Sequence, residues 1–170
     1  MHIPCRSASH LASHLAHHPR PARRGGFTLI ELIVAMTIVT ILASVALPAY
    51  FGHVTRARRA EARTQLMQVA QFMQRFYAAN DSFEHDRAGN AVFDRIPASL
   101  KRSPESGDQL YALVIPPATL NDASFEVRMV PIAGASMGSD ACGTFTLSAA
   151  GVRGVDAATG AANLRDMCWK

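Results

Sequence analysis

The chain has 170 residues, with 17 Lys and Arg against 13 Asp and Glu. Four of the basic residues and none of the acidic ones lie in residues 1–26, so the excess positive charge belongs to the N-terminal end and residues 27–170 are formally neutral. Whole-chain charge therefore does not indicate a nucleic-acid-binding protein, although it leaves a local basic patch open.

The first predicted element is a membrane-spanning helix in the apolar run from Phe27 to Leu47. Its 21 residues match the roughly 20 that cross a bilayer and exceed the roughly 7 to 15 apolar residues of a secretory signal. Two alternatives remain, a secretory signal cut before Leu47 and an uncleaved one-pass anchor. The anchor leaves the single acid of the run, Glu31, unexplained.

Glu31 is the most informative residue of this run. A charged side chain near the bilayer centre costs about 2.5 to 3.5 kcal/mol on insertion scales, so an intramembrane acid is by default functional and needs a partner. Cleavage between Gly26 and Phe27 would create an α-amine four residues before Glu31. We expect Glu31 to pair with that amine of a neighbouring subunit and to set the register of an assembly.

The sequence Gly26-Phe27-Thr28-Leu29-Ile30-Glu31 resembles the processing site of type IV prepilins. The resemblance implies that a prepilin peptidase cuts after Gly26 and methylates the new N-terminal Phe27. Residues 1–26 would then be a leader peptide on the cytoplasmic side. Removing it takes away Cys5 and the histidine cluster, so no metal site is expected from His10, His14, His17 and His18.

The helical pattern continues beyond the membrane segment, and we predict one helix from Phe27 to about Ala79. Pro48 lacks an amide hydrogen and predicts a kink or local loosening near residues 44–52. Further along, a stripe at helical spacing predicts the face that packs on the rest of the domain, with the glutamines, Gln65 among them, on the other faces. The stripe consists of Leu66, Val69, Ala70, Met73, Phe76 and Tyr77.

Four arginines follow the membrane segment. Because juxtamembrane basic residues are attracted to anionic lipids, we expect them to form a solvated collar that faces the lipid headgroups. They are Arg56, Arg58, Arg59 and Arg63.

Beyond Asn80 the sequence becomes rich in turn residues, among them Arg102-Ser103-Pro104. Strands are predicted at 110–115, 124–130 and 143–148, and their short spacing favours an antiparallel meander. Acidic residues near Gly89 do not fit the ligand spacing of an EF-hand and are interpreted as a polar loop. These residues are Asp81, Glu84, Asp86 and Asp94.

Segments of the C-terminal half look like PilE-type minor pilins of type IVa pilus systems. They are Gln74-Arg75-Phe76-Tyr77, residues 140–147, residues 151–154 and Cys168-Trp169. The resemblance implies the α+β pilin fold, a long N-terminal helix packed on an antiparallel sheet with a C-terminal disulfide loop. Cys142 and Cys168 would bracket that loop, and the oxidising compartment expected for an exported domain favours their bond. Residues 84–105 and the loop 155–166 match no motif.

The predicted organisation is a leader at 1–26, a transmembrane and assembly helix at 27–53, and a globular domain at 54–170. No recognisable catalytic arrangement, cofactor motif or metal site is present in the sequence, so an enzyme is not expected.

The predicted function is a structural minor subunit of a type IV pilus. Its predicted partners are prepilin peptidase, other pilin subunits, the inner-membrane assembly platform and the membrane itself. It would span the inner membrane once, with the globular domain in the periplasm, before entering an extracellular filament.

Two alternatives stay open. One is a pseudopilin of a type II secretion system, and the other is a pilin that binds DNA through an exposed basic patch. The candidates for that patch are Lys101, Arg102, Arg128, Arg153, Arg165 and Lys170.

Overall fold

The computed structural model describes residues 26–156 and 164–170. These residues belong to two compact units, one ending at Leu42 and the other running from Ala43 to Lys170. The leader assigned to residues 1–26, apart from Gly26, lies outside the described residues, as does the central part of the predicted loop 155–166.

The dominant element is helix α1, Leu29–Asn80, which confirms the predicted long helix. It is the one described helix that is long and apolar enough to cross a membrane. The helix begins after Thr28, whose hydroxyl accepts a hydrogen bond from the amide of Glu31 at 3.3 Å, as an N-cap residue does. Pro48 lies inside α1 without interrupting it, and the kink there stays a prediction.

The sheet is a five-stranded antiparallel meander, and its strands lie side by side in chain order. The strands are β1 (Arg102–Ser103), β2 (Tyr111–Val114), β3 (Glu126–Pro131), β4 (Thr144–Ser148) and β5 (Arg153–Asp156). Two short helices, α2 (Val92–Arg95) and α3 (Leu164–Cys168), and two 3₁₀ turns, Ala98–Lys101 and Pro117–Thr119, complete the described elements.

The three predicted strands are confirmed as β2, β3 and β4, but the two edge strands were missed. Arg102–Ser103 forms β1 and pairs with β2, so its interpretation as part of a turn was wrong. β5 reads Arg-Gly-Val-Asp, which lacks the run of β-branched and aromatic residues that indicates a strand. Both edges are held by pairing with a neighbouring strand, which local composition does not reveal.

One hydrophobic core joins α1 to the inner face of the sheet. Strands β2 to β4 alternate between buried and less buried residues, as expected for a sheet covered on one face. On α1 the predicted stripe is buried at Leu66, Val69, Met73 and Phe76. The prediction that Gln65 lies on an outer face was wrong, since only 6% of it is exposed.

Gly154 in β5 fits its position only because it has no side chain. A Cβ there would lie 2.5 Å from the hydroxyl oxygen of Thr146 on β4, and the two residues are directly opposite in the ladder. We expect Gly154→Ala to lower the free energy of unfolding by about 1 to 3 kcal/mol, as overpacking does. Urea unfolding monitored by the fluorescence of Trp169, the single tryptophan, measures the change.

The rescue variant tests the cause of that loss. Combining Gly154→Ala with Thr146→Ala removes the clashing oxygen and should recover most of the lost stability. If the double variant is as unstable as the sum of the two single variants, the contact with Thr146 is not the reason for glycine at this position.

Candidate functional site

The N-terminal unit presents an almost entirely apolar surface. Large hydrophobic side chains from Phe27 to Leu42 are more than half exposed, with Phe27 at 83% and Leu29 at 77%. The polar hydroxyls of Thr37 and Thr40 donate to the carbonyls of Ile33 and Met36, each at 2.8 Å, which satisfies them within the helix. Such a surface needs a lipid or protein environment, because exposed apolar patches of this size mark interaction sites.

The predicted processing and register residues lie at the start of this unit. Gly26 precedes the helix, and a Cβ added to it would meet no described atom within 4 Å. The fold therefore does not require glycine there. Glu31 lies in the first turn of α1, where the helix dipole favours a negative charge. It is the single acid between Phe27 and Leu47.

The disulfide lies at the other end of the sequence. Cys142 and Cys168 are joined as predicted, with their Cα atoms 5.8 Å apart. Both residues are at most 2% exposed. The bond connects the segment before β4 to helix α3 and so anchors the C-terminal residues to the domain.

The predicted headgroup collar is wrong for Arg59 and Arg63, which bind the globular domain. The guanidinium of Arg59 donates to both carboxylate oxygens of Asp140, through Nε at 3.0 and 3.1 Å and through Nη2 at 2.5 Å. Arg63 donates to the carbonyl of Cys168 at 2.8 Å, and Arg58 binds the hydroxyl of Ser136. These partners are about 80 or more residues away in sequence, so spacing along the helix could not reveal them.

Arg59, Arg63 and Arg153 lie close to one another near the disulfide. Partial burial, followed by the proximity of Arg59 and Arg153, lowers the pKa of Arg63. Tyr111 lies nearby and is fully buried, and its hydroxyl has no hydrogen-bond partner among the described residues. Burial, with a smaller contribution from Asp140, raises the pKa of Tyr111, so its phenol is neutral at physiological pH.

Asp140 is the central acid of this cluster. Its side chain is only 5% exposed, and it also accepts a hydrogen bond from the backbone amide of Cys142 at 3.2 Å. We expect Asp140→Asn to lower the free energy of unfolding by about 2 kcal/mol, since it leaves the Arg59 charge partly buried without a counter-charge. Urea unfolding with Trp169 fluorescence measures it.

A matched control is Glu126→Gln, which breaks the more exposed ion pair between Glu126 and Arg128. Pairs of that kind contribute about 0 to 1 kcal/mol. Equal destabilisation of the two variants would contradict the special role of Asp140.

The candidates for a basic patch do not form one surface. Arg102 is in β1 and Arg153 is in β5, at opposite edges of the sheet, which are separated by about 19 Å for five strands. Arg128 is paired with Glu126, and Lys101 lies over the ring of Phe93 at 4.6 Å.

The structure does bring three of the candidates together. Arg153, Arg165 and Lys170 line a concavity of about 550 Å³ next to Trp169. Arg153 lies 5.4 Å from the centre of the Trp169 ring, and the indole donates to the carbonyl of Gly154 at 2.9 Å. Asp166, which lies 3.3 Å from Arg165, is the acid that lines this concavity. We call this group of residues the C-terminal basic concavity.

The acidic loop has a structural explanation. The carboxylate of Asp86 accepts a hydrogen bond from the backbone amide of Asn90 at 2.8 Å. It also accepts hydrogen bonds from the side-chain amide of Asn90 and from the guanidinium of Arg95, each at 2.9 Å. These bonds, those from Asn90 first, lower the pKa of Asp86 to about 2. The carboxylate therefore closes the loop 86–95, in agreement with its interpretation as a polar loop.

Comparison with known proteins agrees with the sequence resemblance. The family model described as type IV minor pilin ComP, DNA uptake sequence receptor, matches residues 48–146, and the prokaryotic N-terminal methylation motif matches residues 21–47. The first of these covers more than half of the 170 residues. The chain therefore belongs to the ComP family of type IV minor pilins.

Curated relatives match over the N-terminal part. The type IV major pilin PilA of Myxococcus xanthus is 34% identical over 61 residues, which is 36% of this chain and 28% of the relative. A fimbrial protein of Moraxella nonliquefaciens is 54% identical over 39 residues, 23% of this chain and 25% of the relative. The matches thus span about a quarter of the length of these relatives.

Two solved structures are also similar. The non-core minor pilin PilV of Neisseria meningitidis is 17% identical with a TM-score of 0.44, over 64% of this chain and 93% of that one. A type IV pilin of Shewanella oneidensis is 26% identical with a TM-score of 0.37, over 58% and 89%.

Proposed function

We propose that this chain is a minor subunit of a type IV pilus that prepilin peptidase cuts between Gly26 and Phe27 and methylates at Phe27. The observation that carries the proposal is the single acid Glu31 in the first turn of α1, within the segment from Phe27 to Leu42 whose large apolar side chains are all exposed. An assembly of such helices buries the apolar surface and gives Glu31 a cationic partner in the Phe27 amine of a neighbour.

Before assembly, the apolar part of α1 holds the subunit in the inner membrane with the globular domain in the periplasm. The disulfide supports this side, because such bonds persist in oxidising compartments. The assembly platform and other pilins are the partners of extraction and polymerisation. Membership of a minor pilin family favours the pilus over a type II secretion pseudopilus.

The test is the intact mass and N-terminal sequence of the protein recovered from membranes and from sheared surface filaments. A chain that begins with methylated Phe27 in both fractions is the expected result. A chain that begins at Leu47, or one that keeps its leader in filaments, overturns the proposal. Gly26→Leu provides the control, since the fold does not need glycine there and only processing should be abolished.

We propose DNA binding as a second function, through the C-terminal basic concavity. Two observations favour it: the matching family model describes a DNA uptake sequence receptor, and Arg153, Arg165 and Lys170 lie around one concavity. Three cations against one acid, Asp166, leave a net positive charge next to an aromatic ring, which suits a phosphate backbone, the main source of affinity for DNA.

DNA binding is tested with the full chain in detergent micelles and a short DNA duplex over a range of salt concentrations. Removing one side chain that binds a phosphate should reduce the slope of the salt dependence by about one. We expect the variants Arg153→Ala, Arg165→Ala and Lys170→Ala each to do so, while Arg128→Ala, which does not line the concavity, does not. A uniform effect of all four variants, or no binding at all, refutes this function.

A further inference from the structure

A second cleft lies beside the disulfide, next to the part of α1 that contains Gly52 and Arg56. It measures about 560 Å³ and is lined by Gly52 and Arg56 of α1, by Cys142, and by Met167 and Lys170 at the C-terminal end. We call it the membrane-proximal cleft. All of its lining residues belong to the unit from Ala43 to Lys170.

The cleft combines an apolar floor with basic side chains. Three basic residues line it and no acidic residue of the described chain does. Of these, Arg59 is neutralised by Asp140, whereas Arg56 and Lys170 have no ion pair with a described carboxylate. The ranges 1–25 and 157–163 contain no Asp or Glu, so they offer no carboxylate either. The cleft therefore suits an anion that also carries apolar groups.

The position of Arg56 along α1 determines how far its charge lies from the hydrocarbon core of the membrane. Helical side chains point towards the N-terminus of their helix, and the guanidinium of Arg56 reaches back to Gly52, with Nη1 3.6 Å from where a Cβ of Gly52 would lie. Gly52 follows Leu47 by five residues, or about 7.5 Å of helix. The headgroup layer on each side of the hydrocarbon core is about 5 to 7 Å thick. The guanidinium thus lies at the outer edge of the headgroup layer when the apolar run spans the bilayer.

We propose that the membrane-proximal cleft binds the headgroup of an anionic phospholipid of the periplasmic leaflet while the subunit waits in the membrane. Arg56 and Lys170 contact the phosphate, and the surface that includes Met167 contacts the glycerol and the first acyl carbons. The proposal rests on the membrane-anchored state in the proposed function. It goes beyond that function, because it assigns a lipid-binding site to the globular domain.

Two other occupants fit the cleft less well. A DNA phosphate would leave the apolar floor around Met167 and Cys142 uncovered, and DNA has a more polar surface available in the C-terminal basic concavity. The helix of a neighbouring pilin would bring apolar contacts but no counter-charge for Arg56, unless it placed an acid there. An anionic lipid supplies both the charge and the apolar contact.

The test uses the full chain extracted from membranes and native mass spectrometry with added phosphatidylglycerol or phosphatidylcholine. Phosphatidylglycerol should remain bound to the native protein at least fivefold more than phosphatidylcholine. Arg56→Ala should reduce its retention about fivefold, in line with the contribution of one basic residue at a membrane surface. Excess inorganic phosphate should not displace the lipid.

Two further variants test whether lipid retention depends on the cleft itself or only on the total positive charge of the protein. Arg75→Ala removes an exposed arginine of the same helix, 19 residues further on, and should leave retention unchanged. Gly52→Leu keeps every charge and favours helix but fills the cleft, so it should reduce retention as Arg56→Ala does.

Equal retention of the two lipids, equal effects of Arg56→Ala and Arg75→Ala, or displacement by inorganic phosphate would each overturn the lipid site. Unchanged retention in Gly52→Leu would place the lipid elsewhere and overturn it as well. Failure of the native chain to fractionate with membranes would instead count against the proposed function, so the two failures are distinguishable.

Discussion

Replacing Glu31 with glutamine should reduce the amount of this subunit in filaments by about a hundredfold while the subunit remains in the membrane. In the native assembly, the carboxylate of Glu31 would neutralise the Phe27 amine of a neighbour in an apolar environment. Without it, that amine stays buried and unpaired, and breaking a buried pair by removing one partner costs about 3 to 5 kcal/mol. A change of about 2.7 kcal/mol already corresponds to a hundredfold effect.

The measurement is the ratio of subunit in sheared filaments to subunit in membranes, determined by immunoblotting, together with the N-terminal mass of the membrane form. Glutamine keeps the length and helix propensity of the side chain, and the backbone amide of residue 31 still donates to Thr28. Helix formation and cleavage should therefore be unaffected.

Glu61→Gln is the matched control. Glu61 is an exposed carboxylate of the same helix, outside the apolar run, and its replacement should leave the ratio unchanged. If Glu31→Gln enters filaments as well as the native chain does, the register role of Glu31 is refuted. If neither variant enters filaments, the loss reflects the removal of any negative charge from the helix rather than the position of Glu31.

The helix and the central strands could be predicted from sequence because their signals are local. The spacing of Leu66, Val69, Met73 and Phe76 indicates a helix face whatever lies opposite. The alternation in β2 to β4 likewise follows from one covered and one exposed face of a sheet. In both cases a short window of residues already contains the physical cause.

The parts that sequence reasoning missed depend on distant partners. β1 has two residues, and its pairing with β2 defines it more than its composition does. Gln65 was placed on an outer face because it is polar, but helix geometry puts it one position from Leu66 and three from Ala62, both fully buried. The position of Gln65 on the helix, rather than its polarity, determines that it is buried.

The arginines that follow the apolar run also have partners that are distant in sequence and that local patterns do not reveal. Arg56, Arg59 and Arg63 have similar sequence surroundings, yet Arg59 pairs with Asp140 and Arg63 binds Cys168, while Arg56 lines the membrane-proximal cleft. Sequence alone predicts a basic collar. The fold divides it into arginines that bind the globular domain and Arg56, which lines the membrane-proximal cleft without an ion pair to a described carboxylate.

Breaking the bond between Cys142 and Cys168 should lower the free energy of unfolding by about 3.5 kcal/mol, the value that chain entropy gives for a loop of this size, here a separation of 26 residues. The change is the double variant Cys142→Ser with Cys168→Ser. Urea unfolding of the detergent-purified chain, monitored by Trp169 fluorescence and by far-ultraviolet circular dichroism, measures it. The native protein with reductant should match the variant.

The two signals should also separate in the variant. Helix α3 has five residues, too few to be stable alone. Without the disulfide its neighbourhood is held by the bonds from Arg63 to Cys168 and from Trp169 to Gly154 and by the packing of Trp169 on the core. Trp169 should therefore change its fluorescence at a lower urea concentration than the one at which α1 and the sheet unfold. Coincident transitions would show that the non-covalent contacts alone keep the C-terminal segment docked until the domain unfolds, and would contradict this prediction.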